Sequence, residues 1–422
     1  MRILHVVHED PLRFAGGVQV YARQVAEAQA ARGHEVGVFA MGRDGGGAPD
    51  ARVWEAEKDG VRYWLLNPGR LVARKKRFRF FDSFRNAEAA ALFDGVVRDL
   101  DLDVVHVHHL LLLSGEIVHR LRERPVALVA TLHDYWYLCH RIKLLLPDLA
   151  ECSGPRGGRR CRDCGDPAYQ AYPGRLAFPA IYWSFVYRTN YLLGVLGAFD
   201  RILAPSLFLR EVYVRNGVPP HRVVHSALGI REVLHEYRYE DRAERVFGYL
   251  GSLQPAKGLD VLVRAFNELA GQPVRLRLHG SGEPGYVEHL RRIAENPRIE
   301  FAGPFENEKL PQALAGLDAV VLPSIWAENS PVAIHEALAA RVPVLAGRIG
   351  GIPELVRDGE NGLLFEPRNV QAIRRAVERV LAEPRLLERL SGGAGMVKSF
   401  DDNVAELESI YREILRARSL CA

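Results

Sequence analysis

The sequence has no apolar run long enough to cross a membrane and no large excess of charge of either sign. Its most apolar stretch, YLLGVLGAF at residues 191–199, is about half as long as a membrane-spanning helix. The first residues, MRILHVVHED, lack the longer apolar segment and the cleavage site of a signal peptide. The formal net charge of +4 gives no reason to expect nucleic-acid binding. We therefore expect a cytoplasmic protein without nucleic-acid partners.

Internal repeats are also lacking, which excludes a solenoid. The 422 residues are too many for one ordinary core, so two or three domains are expected. Short apolar runs alternate with longer amphipathic ones, a pattern typical of βαβ units with parallel strands. The pattern restarts near residue 245, which predicts an α/β fold of two Rossmann-like, doubly wound domains facing a central cleft. The predicted strands are 3–7, 35–40, 103–109, 126–133, 200–206 and 221–229, then 245–253, 274–280, 299–303, 317–324 and 343–347.

The domain boundary is predicted in the charged segment 231–244, which is poor in strand signals. We assign residues 1–235 to the first domain, 236–398 to the second, and 399–422 to a closing amphipathic helix. Domains of this type bind ligands beyond the carboxyl ends of their strands. Candidate site residues should therefore lie in loops that follow predicted strands.

One such loop contains two glutamates separated by seven residues, in ENSPVAIHE. Pro331 suits the first turn of a helix, and Asn329 or Ser330 is a candidate N-cap. Glu328 would then lie in the loop and Glu336 within the helix. The first-turn amides would form an anion site, and ionised carboxylates bind hydroxyls strongly; the alternative is two solvated helix-end acids. The candidate binding residues are Glu328, Asn329, Ser330, Pro331, Val332 and Glu336.

Other loops contain the glycines and the lysine that a phosphate site needs. LGSLQPAKGLD places Lys257 and Gly258 before a predicted helix, where an ammonium group reaches a diphosphate bound at the helix start. GRIGG at 347–351 has glycines that allow close approach of the backbone. Gly16 and Gly17 precede the first predicted helix in the same way.

Together, and in this order, these motifs resemble the retaining glycosyltransferases of family 4, which have the GT-B fold. The resemblance covers nearly the whole chain. It implies an enzyme that moves a sugar from a nucleotide-diphosphate sugar to a hydroxyl of a glycan, a lipid-linked sugar or a small molecule. It also implies retention at the anomeric carbon and no metal at the active centre. The first domain would bind the acceptor, the second the nucleotide sugar, and the closing helix would cross back to the first domain.

The resemblance also implies roles for individual residues. Glu328 matches the glutamate that contacts hydroxyls of the donor sugar, and Glu336 matches the one that binds the nucleotide ribose. Lys257 matches the lysine that binds the diphosphate. His133, in TLHDYW, matches the histidine near the donor sugar and the reacting face. The implied catalytic residues are therefore His133, Glu328 and Lys257.

The phosphate contacts include one departure from the family pattern. Gly16 and Gly17 match the glycine loop beside the phosphates, but Ser252 stands where the family usually has an arginine that partners Lys257. A serine cannot supply the planar cationic fork of a guanidinium group. Either another basic residue replaces it, with Arg348 as a candidate, or the donor binds more weakly. The substitution leaves open a non-catalytic sugar-nucleotide-binding protein as an alternative to a transferase. An epimerase with the same two-domain plan is a further alternative.

Four of the five cysteines cluster in an insertion at about 139–170 that is rich in glycine, proline and arginine. Their spacing is C-x12-C-x8-C-x2-C. In a cytoplasmic chain such a cluster favours zinc over disulfides, and a closed tetrahedral site would stabilise a segment with almost no core. Free thiols or a redox pair remain alternatives. The predicted ligands of a structural zinc are Cys139, Cys152, Cys161 and Cys164.

Two further patterns have competing interpretations. RKKRFRFFDSFR at 74–85 interleaves basic residues with phenylalanines; it lines the cleft as a solvated loop, or it seats the protein on an anionic membrane that carries a lipid-linked acceptor. His106 and His108 share one face of a strand and suit a metal, but without a third placed ligand we favour packing.

Overall fold

A computed structural model describes residues 1–420 apart from 15, 43–50, 68–79, 165–177, 232, 234–236, 384 and 396. Parts of the basic run 74–85 and of the cysteine insertion, and Cys421, therefore lie outside the described residues. The chain divides into two compact units, residues 1–226 with 403–422, and residues 227–402.

The first unit is built on a mostly parallel sheet whose central strands are buried on both faces. Its strands are β1 (Arg2–Val7), β2 (Glu35–Met41), β3 (Arg52–Lys58), β4 (Val61–Asn67), β5 (Val104–Val107), β6 (Ala127–Thr131), β7 (Arg201–Ala204) and β8 (Val223–His225). Among the described residues the strand order is β3-β4-β2-β1-β5-β6-β7-β8. β3 pairs antiparallel with β4, and the other pairings are parallel. Burial of both faces explains why the central strands are apolar almost throughout.

Helices connect these strands and cover the sheet, as a parallel sheet requires. The helices of the first unit are α1 (Gly17–Ala31), α2 (Ala87–Val97), α3 (Glu116–Leu121), α4 (Phe178–Leu196) and α5 (Leu207–Arg215). α2 and α5 each begin with a side-chain cap, because Asn86 accepts from the Ala89 N–H and Ser206 from the Leu209 N–H.

The second unit has a parallel sheet with one continuous core. Its strands are β9 (Arg245–Leu250), β10 (Val274–His279), β11 (Ile299–Gly303), β12 (Ala319–Leu322), β13 (Val344–Gly347) and β14 (Gly362–Phe365), in the order β11-β10-β9-β12-β13-β14. Its helices are α6 (Leu259–Asn267), α7 (Pro284–Ile293), α8 (Leu310–Ala315), α9 (Val332–Ala339), α10 (Ile352–Leu355), α11 (Val370–Ala382) and α12 (Leu386–Gly392). Because β9, β12 and β13 are neighbours and parallel, the loops that follow them lie side by side.

The last helix, α13 (Phe400–Ser419), is anchored to the first unit by polar contacts. Glu406 accepts a hydrogen bond from Ser226 at 2.7 Å, and Arg418 pairs with Asp200 at 2.8 Å. Tyr411 is fully buried, and its hydroxyl lies 2.5 Å from His106 Nδ1. The sequence missed three strands, namely β3, β4 and β14. Among the described residues, no helix combines the length and the apolar character needed to cross a membrane.

Candidate active site

Glu328 is the centre of a polar cluster in the second unit. It lies in the loop between β12 and α9 and is only 4% exposed. Three donors meet its Oε1 atom: Lys257 Nζ at 2.7 Å, Ser324 Oγ at 2.6 Å and Trp326 Nε1 at 2.8 Å. A buried carboxylate oxygen that accepts from an ammonium group and two further donors is held in one orientation. None of these three bonds uses Oε2.

Lys257 reaches this cluster from the loop after β9. It ends a short 3-10 helix, Pro255–Lys257, and its ammonium group also lies 5.4 Å from the centre of the Trp326 ring. Gly258, with φ of 74°, follows it and starts α6. A Cβ there would lie 2.0 Å from the carbonyl oxygen of Pro323, so only glycine allows the two loops to approach this closely.

Gly350 and Gly351 contact the backbone of the loop that carries Glu328. The Gly351 N–H donates to the carbonyl oxygen of Glu328 at 2.7 Å. Gly350 has φ of 61°, and a Cβ there would lie 2.2 Å from the same oxygen. The close backbone approach predicted for these glycines is therefore an approach to the glutamate loop itself, which fixes the position of Glu328.

The start of α9 differs from the prediction by one residue. Pro331 is the cap residue rather than the first helical residue, and no side chain caps the helix. The predicted N-cap role of Asn329 or Ser330 is therefore wrong, because Ser330 Oγ bonds His335 Nε2 at 2.6 Å instead. Burial lowers the pKa of His335 to about 4. The N–H groups of the first turn, beginning with Val332, still have no carbonyl one turn earlier within the helix.

Glu336 lies on α9 in a different environment from Glu328. Its side chain is half-buried, and burial raises its pKa from 4.5 to about 7. Within the described part of the chain no side chain donates a hydrogen bond to its carboxylate. A carboxyl group with a raised pKa and no protein partner is suited to a ligand hydroxyl.

We expect Glu336→Gln to stabilise the protein at pH 8 but not at pH 5. The raised pKa means that the carboxyl group favours folding below about 4.5, and that this contribution is lost as the pH rises through about 7. The neutral amide avoids that loss, which should be worth about 2 kcal/mol at pH 8 after allowance for solvent contact. Thermal unfolding at the two pH values measures the effect, and Glu360→Gln at the exposed Arg357–Glu360 pair is the matched control. Equal shifts at both pH values would contradict the assignment.

Ser252 carries no charge at the position where the family pattern has an arginine. The residue is exposed, and its carbonyl oxygen accepts a hydrogen bond from the Tyr249 hydroxyl at 2.7 Å. Arg348, the candidate replacement, is exposed and pairs with Asp358 at 2.8 Å. The structure therefore brings Lys257 and Glu328 together but does not bring Arg348 to them.

Gly16 and Gly17 begin α1 in the first unit, with Gly16 as the cap residue and no acidic side chain in the first turn. Next to them, Gln19 Nε2 bonds Glu9 Oε2 at 2.8 Å and lies 3.2 Å from His8 Nε2. A Cβ on Gly16 would lie 2.3 Å from Gln19 Oε1. These contacts place a cluster of polar side chains beside the glycine loop, which the sequence did not reveal.

His133 follows β6 and is half-buried, and burial lowers its pKa to about 4. Its neighbour Asp134 binds His109 Nε2 at 3.2 Å. Burial alone would raise the pKa of Asp134, but His109 and the backbone N–H of Trp136 hold it below its usual value. His133 Nε2 lies 3.3 Å from His108 Nδ1.

The first unit also contains three fully buried histidines, His5, His106 and His108. Among the described residues they are the one group of three or more metal-ligating side chains with ligand atoms within 4.8 Å of one another. The sequence missed His5, which pairs with His106 in the register of β1 and β5. Burial lowers the pKa of all three, so each ring is neutral.

Protein hydrogen bonds account for every ring nitrogen in this trio. His5 binds Gln29 Oε1 and His108, and His108 also binds His133. His106 binds the Tyr411 hydroxyl and Thr131 Oγ1, the latter at 2.8 Å. These hydrogen bonds give a physical reason for the packing role predicted for His106 and His108, and that reason does not involve a metal.

The four clustered cysteines line one cavity of about 180 Å³ and are present as thiols. Cys161 and Cys164 bound a 3-10 helix. Burial, followed by the neighbouring Cys139, raises the pKa of Cys161 to about 12. Burial also raises the pKa of Cys139, although backbone N–H groups of Leu144 and Arg141 act in the opposite direction. The thiols share a cavity but do not form a group within the 4.8 Å spacing of the histidines.

The described part of the basic run packs partly inward. Phe80 and Phe84 are buried, whereas Phe81 is 36% exposed. Phe80 contacts Phe185 of α4 edge to face, with ring centres 5.0 Å apart. These phenylalanines support the core, and residues 74–79 lie outside the described range.

Comparison with known proteins identifies the class. The structure is similar to sucrose-phosphate synthase from Thermosynechococcus elongatus, with a TM-score of 0.74 and 21% identity over 99% of this chain and 100% of that chain. It is also similar to Anabaena Alr3699/HepE in complex with UDP and glucose, with a TM-score of 0.68 and 17% identity over 97% and 99% of the two chains. The two parallel sheets and these neighbours confirm the GT-B fold.

Family models give the more specific assignment. Residues 15–230 match the model for Glycosyltransferase Family 4, and residues 244–383 match Glycosyl transferases group 1. The chain therefore belongs to glycosyltransferase family 4 and is an enzyme. A D-inositol 3-phosphate glycosyltransferase from Acidothermus cellulolyticus is 27% identical over 99% of this chain and 91% of its own length. A GDP-mannose-dependent phosphatidylinositol monomannoside mannosyltransferase from Mycolicibacterium smegmatis is 34% identical over 40% of this chain and 48% of its own.

Proposed function

We propose that the protein transfers a sugar from a nucleotide-diphosphate sugar to an acceptor hydroxyl, with retention at the anomeric carbon and without a metal at the active centre. The observation that carries this proposal is the convergence of Lys257, Ser324 and Trp326 on Glu328 Oε1. It places a fixed carboxylate beside an ammonium group. A sugar diphosphate needs both, because the carboxylate can accept a sugar hydroxyl and the ammonium group can bind the diphosphate. Glu336 lies on the helix that follows.

Each group has a proposed role. The Lys257 ammonium has three donors, so it can bond Glu328 and still bind a diphosphate oxygen. The first-turn N–H groups of α9 supply further donors to the phosphates. Glu328 Oε2 accepts a hydroxyl of the donor sugar, and Glu336 accepts a ribose hydroxyl. Stabilising the departing diphosphate in this way needs positioning and charge rather than a metal.

The proposed reaction is attack on the face from which the diphosphate leaves. The acceptor oxygen forms a bond to the anomeric carbon as the bond from that carbon to the diphosphate oxygen breaks. The acceptor proton passes to the leaving phosphate oxygen, and a nucleoside diphosphate is released. The family resemblance supports this route over a covalent intermediate.

The acceptor is proposed to be a polyol, a glycan or a lipid-linked sugar. The named relatives act on an inositol phosphate and a phosphatidylinositol mannoside. A lipid-linked acceptor would place the enzyme at the cytoplasmic face of a membrane, with residues 74–85 as the contact. Sedimentation with anionic and neutral vesicles tests this contact directly.

Release of nucleoside diphosphate from a panel of nucleotide sugars, with and without acceptors, tests the proposed function. We expect acceptor-dependent release from at least one donor. Binding of a donor without release on any acceptor would instead identify a sugar-nucleotide-binding protein. Conversion of the donor to its epimer would identify an epimerase.

We further propose a structural zinc bound by Cys139, Cys152, Cys161 and Cys164. The cavity that all four cysteines line supports this assignment. Zinc would convert the thiols to thiolates and draw the four sulfurs inward. Such a site is closed, so it takes no part in the reaction.

We expect the purified protein to contain about one zinc per chain. The double variant Cys161→Ser, Cys164→Ser should lose the metal and unfold at a lower temperature, whereas Cys421→Ser should change neither. Elemental analysis and thermal unfolding with and without a chelator measure both effects. Metal-free, fully stable wild-type protein with titratable thiols would rule out the site.

A further inference from the structure

A chain of hydrogen bonds inside the first unit links Gln29 of α1 to His133. Gln29 Oε1 lies 2.9 Å from His5 Nε2, and His5 Nδ1 lies 3.0 Å from His108 Nε2. His108 Nδ1 then lies 3.3 Å from His133 Nε2. Gln29, His5 and His108 are buried, whereas His133 is partly exposed. The chain therefore runs from the interior to the surface-facing end of β6.

Each imidazole in this chain carries one ring proton. Burial lowers the pKa of His5 and of His133 to about 4 and that of His108 well below its usual value. A neutral imidazole has one N–H donor and one acceptor nitrogen. Each bond between two such rings consequently determines which nitrogen of the next ring carries the proton.

The amide of Gln29 sets the direction of the chain. Its oxygen faces His5 and can only accept, so His5 must carry its proton on Nε2. Gln29 Nε2 makes no regular hydrogen bond with a described group. With the oxygen at His5, the amide nitrogen lies on the side of the group away from that ring.

The remaining protons follow from this orientation. His5 Nδ1 is an acceptor, so His108 donates from Nε2 and its Nδ1 accepts. His133 therefore donates from Nε2 to His108, and its own Nδ1 is unprotonated. If the nitrogen of the Gln29 amide faced His5 instead of the oxygen, each hydrogen bond in the chain would run in the opposite direction. His133 would then carry its proton on Nδ1.

We infer that Gln29 is a positioning residue that acts through His5 and His108 to fix the tautomer of His133, with Nδ1 as an acceptor for a sugar hydroxyl. The assignment of that hydroxyl rests on the proposed function, whereas the tautomer itself does not. A fixed acceptor nitrogen binds a hydroxyl without a change of protonation. It also explains why three polar side chains, those of Gln29, His5 and His108, are buried between a parallel sheet and its covering helix.

The test is nitrogen-15 NMR of the histidine rings in the full chain, in which His133→Gln identifies the His133 signals. We expect His133 of the wild type to be neutral with its proton on Nε2. Gln29→Met should mix or reverse the tautomer, whereas Gln29→Glu should preserve it because an ionised carboxylate also only accepts. Thr131→Val, which removes the partner of His106 at 2.8 Å, is the matched control and should leave His133 unchanged.

Kinetics with a productive donor and acceptor supply the second readout. Gln29→Met should lower kcat about tenfold with little change in the KM for the donor, and Gln29→Glu should restore kcat. Failure of sugar transfer with the predicted tautomer intact would reject the proposed function alone. A wild-type His133 protonated on Nδ1 would overturn the inference even if no variant folds, and so would an unchanged tautomer in folded Gln29→Met.

Discussion

Glu328→Gln should lower kcat at least about a hundredfold, which is the size of effect expected when a preorganised charged group is removed from an active centre. The amide retains the shape of the side chain, and its oxygen still accepts from Ser324 and Trp326, so the loop should keep its conformation. The negative charge that holds Lys257 and orients the donor-sugar hydroxyl is lost. Steady-state kinetics with a productive donor measure the effect.

Thermal unfolding supplies the control for this variant. Glu328 is 4% exposed and Lys257 remains partly open to solvent, so breaking the pair should cost about 1–2 kcal/mol of stability and leave the protein folded. Glu360→Gln, at the exposed pair with Arg357, should leave both activity and stability unchanged. Wild-type turnover by folded Glu328→Gln would refute the role of Glu328.

Lys257→Met should weaken binding of nucleoside diphosphates about tenfold to a hundredfold, because one charge-assisted contact to the diphosphate is lost. Binding of the corresponding nucleosides, which lack phosphates, should change little. Calorimetric titration with both classes of ligand separates the phosphate contact from general damage to the site. Loss of nucleoside binding to the same extent would show that Lys257 acts through the fold.

Two further variants test the position at Ser252. Arg348→Met should bind nucleoside diphosphates as the wild type does, because the Arg348 guanidinium group pairs with Asp358. Ser252→Arg should bind them more tightly, since it restores a cation at an exposed position after β9. Weaker binding by Arg348→Met would instead make Arg348 the replacement.

The sequence predicted most of the strands that are buried on both faces of a sheet. Parallel strands covered on both faces read as apolar runs, and β1, β9 and β12 were found in this way. β3 was missed because it lies at the sheet edge, where all seven of its residues are partly or fully exposed. β4, which pairs with it, is mostly buried and was missed although its sequence is apolar. The Asp59-Gly60 turn, with φ of 53° and 74°, was the signal that could have revealed the hairpin.

The sequence predicted those features of the candidate site that depend on residues close together in the chain. The placement of Glu328 and Lys257 in loops after two strands followed from pattern and resemblance. Their meeting depends on β9 and β12 being adjacent, which the order of strands along the chain does not give. The N-cap of α9 was misjudged because Pro331 is the cap residue and Ser330 Oγ bonds His335 instead.

The chain of histidines could not be predicted from the sequence, for a related reason. His5, His108 and Gln29 come from β1, the loop after β5 and α1, and they meet because β1 pairs with β5 and α1 packs against β1. The early repetition of histidine after short apolar runs was the one sequence signal. A polar residue inside a buried strand requires a partner, and applying that rule would have directed attention to His5.

A crystal structure of the protein with a productive nucleotide sugar tests the account most directly. We predict the diphosphate at Lys257 and the first turn of α9, a donor-sugar hydroxyl on Glu328 and the ribose on Glu336. A nucleotide sugar bound in the second unit away from Lys257, Glu328 and Glu336 would contradict the account.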